Sequence, residues 1–181
     1  KWEFAAEGAI VTTPLVDGGS DARTVYVGSF DRRLYAIDAV SGQLKWQFEA
    51  KHGFWARPVV FNGVIYAPSL DGRVYVLKAD SGEKIAEVDL GSPVSSSPVL
   101  LGNVVVVATE ESRGTAEVKS GAVIWSIDTN NNEAQELARL PGEKVYAPMS
   151  GGPGIVYVHT DRDSVYGIDI TTGAVRQFNI K

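Results

Sequence analysis

Apolar residues come in short runs along this chain, cut by Gly, Asp, Asn and Ser, and the cutting is clearest between positions 58 and 90. Pro58 to Phe61 is a brief apolar stretch, Asn62-Gly63 is a strong two-residue hairpin signal, and Val64 to Ala67 is the returning strand. Asp71-Gly72 turns the chain into Arg73 to Lys78. Asp80-Ser81-Gly82 turns it again, with Gly free to take positive φ, and Glu83 to Leu90 makes a fourth strand. The pattern predicts a four-stranded antiparallel meander.

That meander recurs. Tyr35, Tyr75, Trp125 and Tyr166 fall in one column at separations of 40, 50 and 41 residues. Asp38, Lys78, Asp128 and Asp169 form a second column, Gly42, Gly82, Asn132 and Gly173 a third, and Pro14, Pro58, Pro98 and Pro148 a fourth. Lys1-Trp2-Glu3-Phe4 echoes Lys45-Trp46-Gln47-Phe48, so the chain opens on the tail of a repeat. A period near forty residues points to stacked β units. The second and third strands, such as Val74-Tyr75-Val76-Leu77 and Val104 to Ala108, are apolar at consecutive positions, which predicts burial on both faces. Sheets of that kind, repeated at this period, predict an all-β fold, a β-propeller of four-stranded antiparallel blades. The expected division is 1–10 as the outer strand of a preceding blade, then blades at 11–50, 51–91, 92–142 and 143–181. Asn132 to Leu140 has helix-forming composition but occupies a fourth-strand slot, and context favours strand.

Composition narrows the chemistry. With 44% hydrophobic and 22% charged residues the chain of 181 is an ordinary globular protein. No apolar run approaches a membrane span. The absence of Cys excludes disulfides and thiolate metal sites. A net charge of −5, with no basic run longer than Arg32-Arg33, argues against nucleic acid. Lys at position 1 reads as a chain processed or cut from a longer one.

The segment Ala36-Ile37-Asp38-Ala39-Val40-Ser41-Gly42-Gln43-Leu44-Lys45-Trp46 resembles the tryptophan-docking motif of quinoprotein-like propellers built from pyrroloquinoline quinone (PQQ) repeats. The typical pattern is Ala-x-Asp-x-x-Thr-Gly-Lys-x-x-Trp, matched by Ala36, Asp38, Ser41 for Thr, Gly42 and Trp46, with Gln43 in place of Lys. The resemblance implies that each Trp packs over the Gly turn of a neighbouring blade. The structural docking set is then Trp2, Ala36, Asp38, Ser41, Gly42, Trp46, Gly82, Asp128, Asp169 and Gly173. Other copies depart from the pattern, with Lys78 for Asp, Ala86 and Gln177 for Trp, and Asn132 for Gly. Family rings have seven or eight blades, so the chain resembles about half a ring, whose two end faces would be covered by another copy, another chain or further blades.

Partner-binding candidates follow from propeller geometry, in which the crossovers from fourth to first strands meet the loops between second and third strands. Lys51 to Arg57 lies there, and His52, Phe54, Trp55 and Arg57 combine aromatics with cations. Arg33, Arg73 and Arg57 are candidates for facing the central channel and meeting an acidic ligand. Glu110, Glu111 and Arg113 belong to the insertion from Glu110 to Gly121 that stretches one period to 50 residues. Asp31, Asp71 and Asp161 read as ordinary turn residues, and His52 and His159 are too far apart in sequence to suggest a metal cluster. No catalytic, cofactor or metal residue is assigned. Degenerate docking motifs resemble scaffold propellers more than cofactor enzymes. The resemblance therefore implies a non-catalytic, protein-binding scaffold, like the propeller lipoprotein of the outer-membrane β-barrel assembly machinery, or an extracytoplasmic sensor module. The alternative is part of a PQQ/Ca-dependent dehydrogenase, whose alcohol-oxidising members carry adjacent cysteines. A periplasmic location follows from the resemblance alone.

Overall fold

The computed structural model describes residues 1–18, 23–111 and 120–178. They form four separate four-stranded sheets, each ordered as the chain runs or in the reverse. The first holds β1 (Leu15–Asp17), β2 (Thr24–Gly28), β3 (Arg33–Asp38) and β4 (Leu44–Glu49). The second holds β5 (Val59–Phe61), β6 (Val64–Pro68), β7 (Arg73–Lys78) and β8 (Lys84–Asp89). The third holds β9 (Val99–Leu101), β10 (Val104–Glu111), β11 (Gly121–Asp128) and β12 (Ala134–Pro141). The fourth holds β13 (Ser150–Gly152), β14 (Ile155–His159), β15 (Val165–Asp169) and β16 (Val175–Phe178). All pairings are antiparallel. The architecture is a partial β-propeller.

The core lies between sheets, and alternation along the middle strands explains how. Tyr26, Leu34 and Ala36 of the first sheet pack with Ile65, Ala67, Tyr75 and Leu77 of the second. The other face of the second sheet, Tyr66, Val74 and Val76, packs with Val105, Val107 and Ile127 of the third. Val106, Ala108, Ala122 and Ile124 then pack with Val156, Val158 and Ile168 of the fourth. Successive strand residues point to opposite faces, so a sheet sandwiched between two neighbours needs apolar residues at every position.

Turn chemistry sets the register. Asn62 and Gly63 have φ of 49° and 74°, as a two-residue hairpin with both central residues left-handed requires. β12 extends over the helix-forming residues, because its ladder to β11 and the burial of Ala138 and Leu140 outweigh propensity.

One expectation is not met. Lys1 to Ala5 forms no strand, since a strand needs a paired neighbour and none lies beside it. The tail packs onto the first sheet instead. Phe4 meets Tyr35 edge-on at 5.1 Å between ring centroids, and Phe4 and Ala6 cover Val27 and Ile37. A cleft of about 440 Å³ remains on this face, lined by Trp2, Phe4, Ile10, Pro14, Val25, Val27 and Ile37 among others.

Candidate functional site: the two ends of the blades

At one end, the turns between third and fourth strands carry the docking motif. Asp38 Oδ1 accepts hydrogen bonds from the Val40 and Ser41 N–H groups and the Ser41 hydroxyl, at 3.0, 2.8 and 2.9 Å. Those bonds, the backbone bond to Ser41 first, hold the Asp38 carboxyl below its ordinary range. Asp169 accepts the Thr171 and Thr172 N–H groups in the same way, and Asp128 accepts that of Asn130. The turn then needs a left-handed residue, supplied by Gly42, Gly82, Asn132 and Gly173 at φ of 75°, 72°, 60° and 71°.

What lies over each turn decides whether Gly is obligatory. The Trp2 indole covers Gly42 and donates its Nε1–H to the Ala39 carbonyl at 3.0 Å. Trp46 covers Gly82 and donates to the Ala79 carbonyl at 3.1 Å. A Cβ at Gly82 would stand 2.5 Å from Trp46 Cε3. At the third turn no Trp precedes, because Ala86 holds that position in the β8 ladder opposite Val76. Asn132 fits there, and its Oδ1 accepts the Tyr66 hydroxyl at 3.1 Å. At the fourth, a Cβ on Gly173 would lie 2.4 Å from the Leu137 carbonyl oxygen, so Gly is kept without a Trp. Leu137 is the bulged residue of β12, where the ladder passes from Ile124–Ala138 to Trp125–Glu136.

Sequence reasoning missed the tyrosines that share this task. Tyr26 donates its hydroxyl to the Ala79 carbonyl of the next sheet at 2.9 Å. Tyr66 repeats the arrangement one blade on, and the 40-residue spacing of the two was the available signal.

At the opposite end, crossovers and second-to-third-strand loops meet through a recurring backbone bond. Phe30 N–H donates to Ala9, Leu70 to Gly53, Glu110 to Pro93 and Asp161 to Lys144, at 3.0, 3.0, 3.2 and 2.9 Å. Carboxylates clamp the same junctions. Asp71 accepts from the Lys51 N–H at 3.1 Å, the Arg73 N–H at 3.0 Å and the Tyr75 hydroxyl at 2.6 Å. Asp31 does the same for the Glu7 and Arg33 N–H groups and the Tyr35 hydroxyl. Burial works to raise the Asp31 carboxyl, but its hydrogen bonds, led by that of Tyr35, outweigh it and hold the group low. Burial, then the bond to Asp71, pushes the Tyr75 phenol up to about 12. In the fourth blade the acceptor of the Tyr166 hydroxyl is Glu143, a buried crossover residue that also accepts the Thr160 hydroxyl. These aspartates are thus more than turn formers: they tie each crossover to its blade.

The partner-binding candidates separate on this end. Phe54 is 1% exposed and packs against Gly28 and Tyr75, so it belongs to the core between the first two sheets and not to the surface set. Trp55 is 44% exposed and lies 5.4 Å from the ring of Phe30, itself 38% exposed. His52 and Arg57 are exposed as well. Arg33 pairs with Glu7, and Arg73 with Asp89 at 2.7 Å and Glu87 at 3.5 Å, so carboxylates of the tail and of β8 already neutralise both cations. Glu111 pairs with Arg139 at 2.6 Å and Glu110 approaches Lys144 at 3.9 Å. Both line a charged cleft of about 510 Å³ between the third and fourth blades, while Arg113 lies outside the described residues. Among the described residues, no group of three or more His, Asp or Glu could hold a metal ion. Among the described residues, no helix is long and apolar enough to cross a membrane.

The four-stranded blades and indole-over-glycine turns define a PQQ-repeat propeller. A family model described as outer membrane protein assembly factor BamB matches residues 1–54 and 49–178, and the chain belongs to that family. The outer membrane protein assembly factor BamB of Yersinia pestis is 25% identical over 170 residues, covering 89% of this chain and 43% of its own length. A lanthanide-dependent methanol dehydrogenase from Methylacidiphilum fumariolicum is 27% identical over 168 residues, covering 78% of this chain and 26% of the enzyme. Among solved structures, BamB from Moraxella catarrhalis superposes with a TM-score of 0.71 at 17% identity, over 95% of this chain and 50% of that one. The chain thus spans half or less of the length of these relatives.

Proposed function

We propose that this chain is a non-catalytic, protein-binding part of a PQQ-repeat propeller, a scaffold or sensor module acting outside the cytoplasm, in the periplasm. Its working units are the blades 11–50, 51–91, 92–142 and 143–181. The docking set from Trp2 to Gly173 is its fastening, and the crossover end is its binding face. The observation that carries the reading is the Phe30–Trp55 pair, two large aromatics left exposed in contact at the junction of the first two blades. Exposed Trp packed on a second ring is the composition of a binding hot spot, since it offers large rigid area at low entropic cost. Membership of a family described as an outer membrane protein assembly factor supports the same reading and its location.

The methanol dehydrogenase relative favours a second reading, part of a quinone-dependent enzyme. Incubating the protein with PQQ and Ca²⁺ or a lanthanide, then following reduction of an electron-accepting dye with an alcohol, separates the two. The scaffold reading expects no substrate-dependent turnover, and saturable turnover would overthrow it.

A further inference from the structure

The two end sheets carry complementary halves of a junction that occurs complete inside the chain. Between the first and second sheets the Ala79 carbonyl accepts two donors, the Tyr26 hydroxyl at 2.9 Å and the Trp46 indole at 3.1 Å, and Phe48 packs on Tyr75 at 4.9 Å between ring centroids. Ala39 is the counterpart of Ala79 in the docking turn of the first sheet, one residue after Asp38 as Ala79 follows Lys78. Its carbonyl accepts the Trp2 indole and Phe4 packs on Tyr35, but among the described residues no Tyr hydroxyl joins them. The cleft of about 440 Å³ opens there, beside Trp2 and over Val25, Val27 and Ile37. This end has the acceptor, the indole and the Phe, and lacks the Tyr.

The fourth sheet holds what is missing. Tyr157 lies opposite Gly167 in its ladder, as Tyr26 lies opposite Ala36 and Tyr66 opposite Val76. Tyr26 and Tyr66 each reach the docking turn of the next sheet. Tyr157 stands on the face turned away from the third sheet, because Val156 and Val158 take the inner side, and among the described residues its hydroxyl has no partner. The third sheet has Val106 at this position, opposite Ser126, so a blade folds without the ring. The Tyr serves the junction.

We propose that a second copy of this chain docks its first sheet on the fourth, the Tyr157 hydroxyl of one copy donating to the Ala39 carbonyl of the other. The tail of the incoming copy and β16 then compete for one place. In β4, Trp46 lies opposite Ala36 and Phe48 opposite Leu34; in β16, Arg176 lies opposite Gly167 and Phe178 opposite Val165. β16 therefore offers Phe178 where the tail offers Phe4, but an Arg where the tail offers an indole. Every residue of β16 is exposed. The tail keeps its place on Gly42 and becomes the fourth strand along β15 of the other copy, and β16 yields. A contact between opposite ends of the series is heterologous, and it closes when its rotation completes a circle. The chain superposes on half of the Moraxella catarrhalis BamB chain, so two copies, each giving one tail and receiving one, complete a ring.

Sedimentation equilibrium of the full chain over a range of concentrations tests this, and the mass is expected to level at twice that of one chain. Tyr157→Phe should weaken the association about fivefold, the loss of one hydrogen bond, and Trp2→Ala about tenfold or more. Phe178→Ala should leave it unchanged or tighten it. All three side chains are exposed in the single copy, and unchanged urea midpoints at concentrations where the chain is monomeric would show that the variants fold. A monomer at every concentration, or a mass that climbs past two copies, overturns the proposal. Association untouched by Tyr157→Phe or by Trp2→Ala overturns it too, as does weakening by Phe178→Ala, which would show that β16 stays and the tail leaves. The docked faces do not include Phe30 or Trp55, so each of these outcomes leaves the protein-binding reading of the crossover end where it stands.

Discussion

At the scale of single residues, a glycine in this protein is fixed by what presses on it as well as by its φ. Gly63 and Gly82 have almost the same φ, 74° and 72°, yet a Cβ at Gly63 would meet nothing within 4 Å while one at Gly82 would enter the Trp46 ring. Gly63→Ala should therefore cost about 1 kcal/mol, the left-handed penalty alone. Gly82→Ala adds overpacking and should cost roughly 3 kcal/mol, both read by urea denaturation. Sequence showed the column Gly42, Gly82, Asn132, Gly173, but not why Asn enters at one place only. That answer needs the partner across the blade junction: indole over two of them, a backbone carbonyl over the fourth, and a tyrosine hydroxyl at the third.

Tyr75 gives a second test at this scale. Its folded pKa of about 12 stands above the ordinary 10.0, so the neutral phenol is the form that folding favours. Its contribution is complete below pH 10 and is lost as pH rises from 10 towards 12. Tyr75→Phe should flatten the fall in stability across that window, measured by denaturation at fixed pH steps. An unchanged slope would contradict the assignment.

Among elements, the crossovers are held by the clamps, and the strength of each clamp follows from its count of bonds. Asp71→Ala removes the acceptor for the Lys51 and Arg73 N–H groups and the Tyr75 hydroxyl and should cost about 2–4 kcal/mol. Exchange of the Lys51 amide hydrogen should quicken with it. Asp161→Ala removes the Lys144 N–H bond and should cost about 1 kcal/mol. At this scale most of the architecture was legible. The strand limits around Asn62-Gly63 and the strand identity of β12 follow from turn residues and two-sided burial, both local patterns. The tail forms no strand here because strand formation depends on a neighbour, and Trp2 and Phe4 look the same in sequence whether they belong to a ladder or lie against a sheet.

For the whole molecule, the sheets at either end of the series differ from the inner two. The first is partly covered by its own tail, while the fourth leaves Tyr157, Val175 and Phe178 exposed at 37%, 46% and 36%. We propose that both faces are covered in use by further blades or by another chain. Sedimentation of the chain alone is expected to show self-association, and a monodisperse monomer would contradict that coverage. The candidate site was only half legible from sequence. The Lys51 to Arg57 segment was marked by composition, but Phe54 and Trp55 are neighbours in sequence with opposite fates, one 1% and the other 44% exposed. Only the packed crossover, with Gly28 beneath Phe54 and Phe30 beside Trp55, separates them.

The central claim is that the crossover end binds protein. It is tested most directly by placing a photoreactive amino acid at Trp55 in the host cell, with Val40, 74% exposed in the docking turn at the other end, as control. The account predicts a discrete crosslinked protein at position 55 and none at position 40. The same products at both positions, or none at 55, would contradict it.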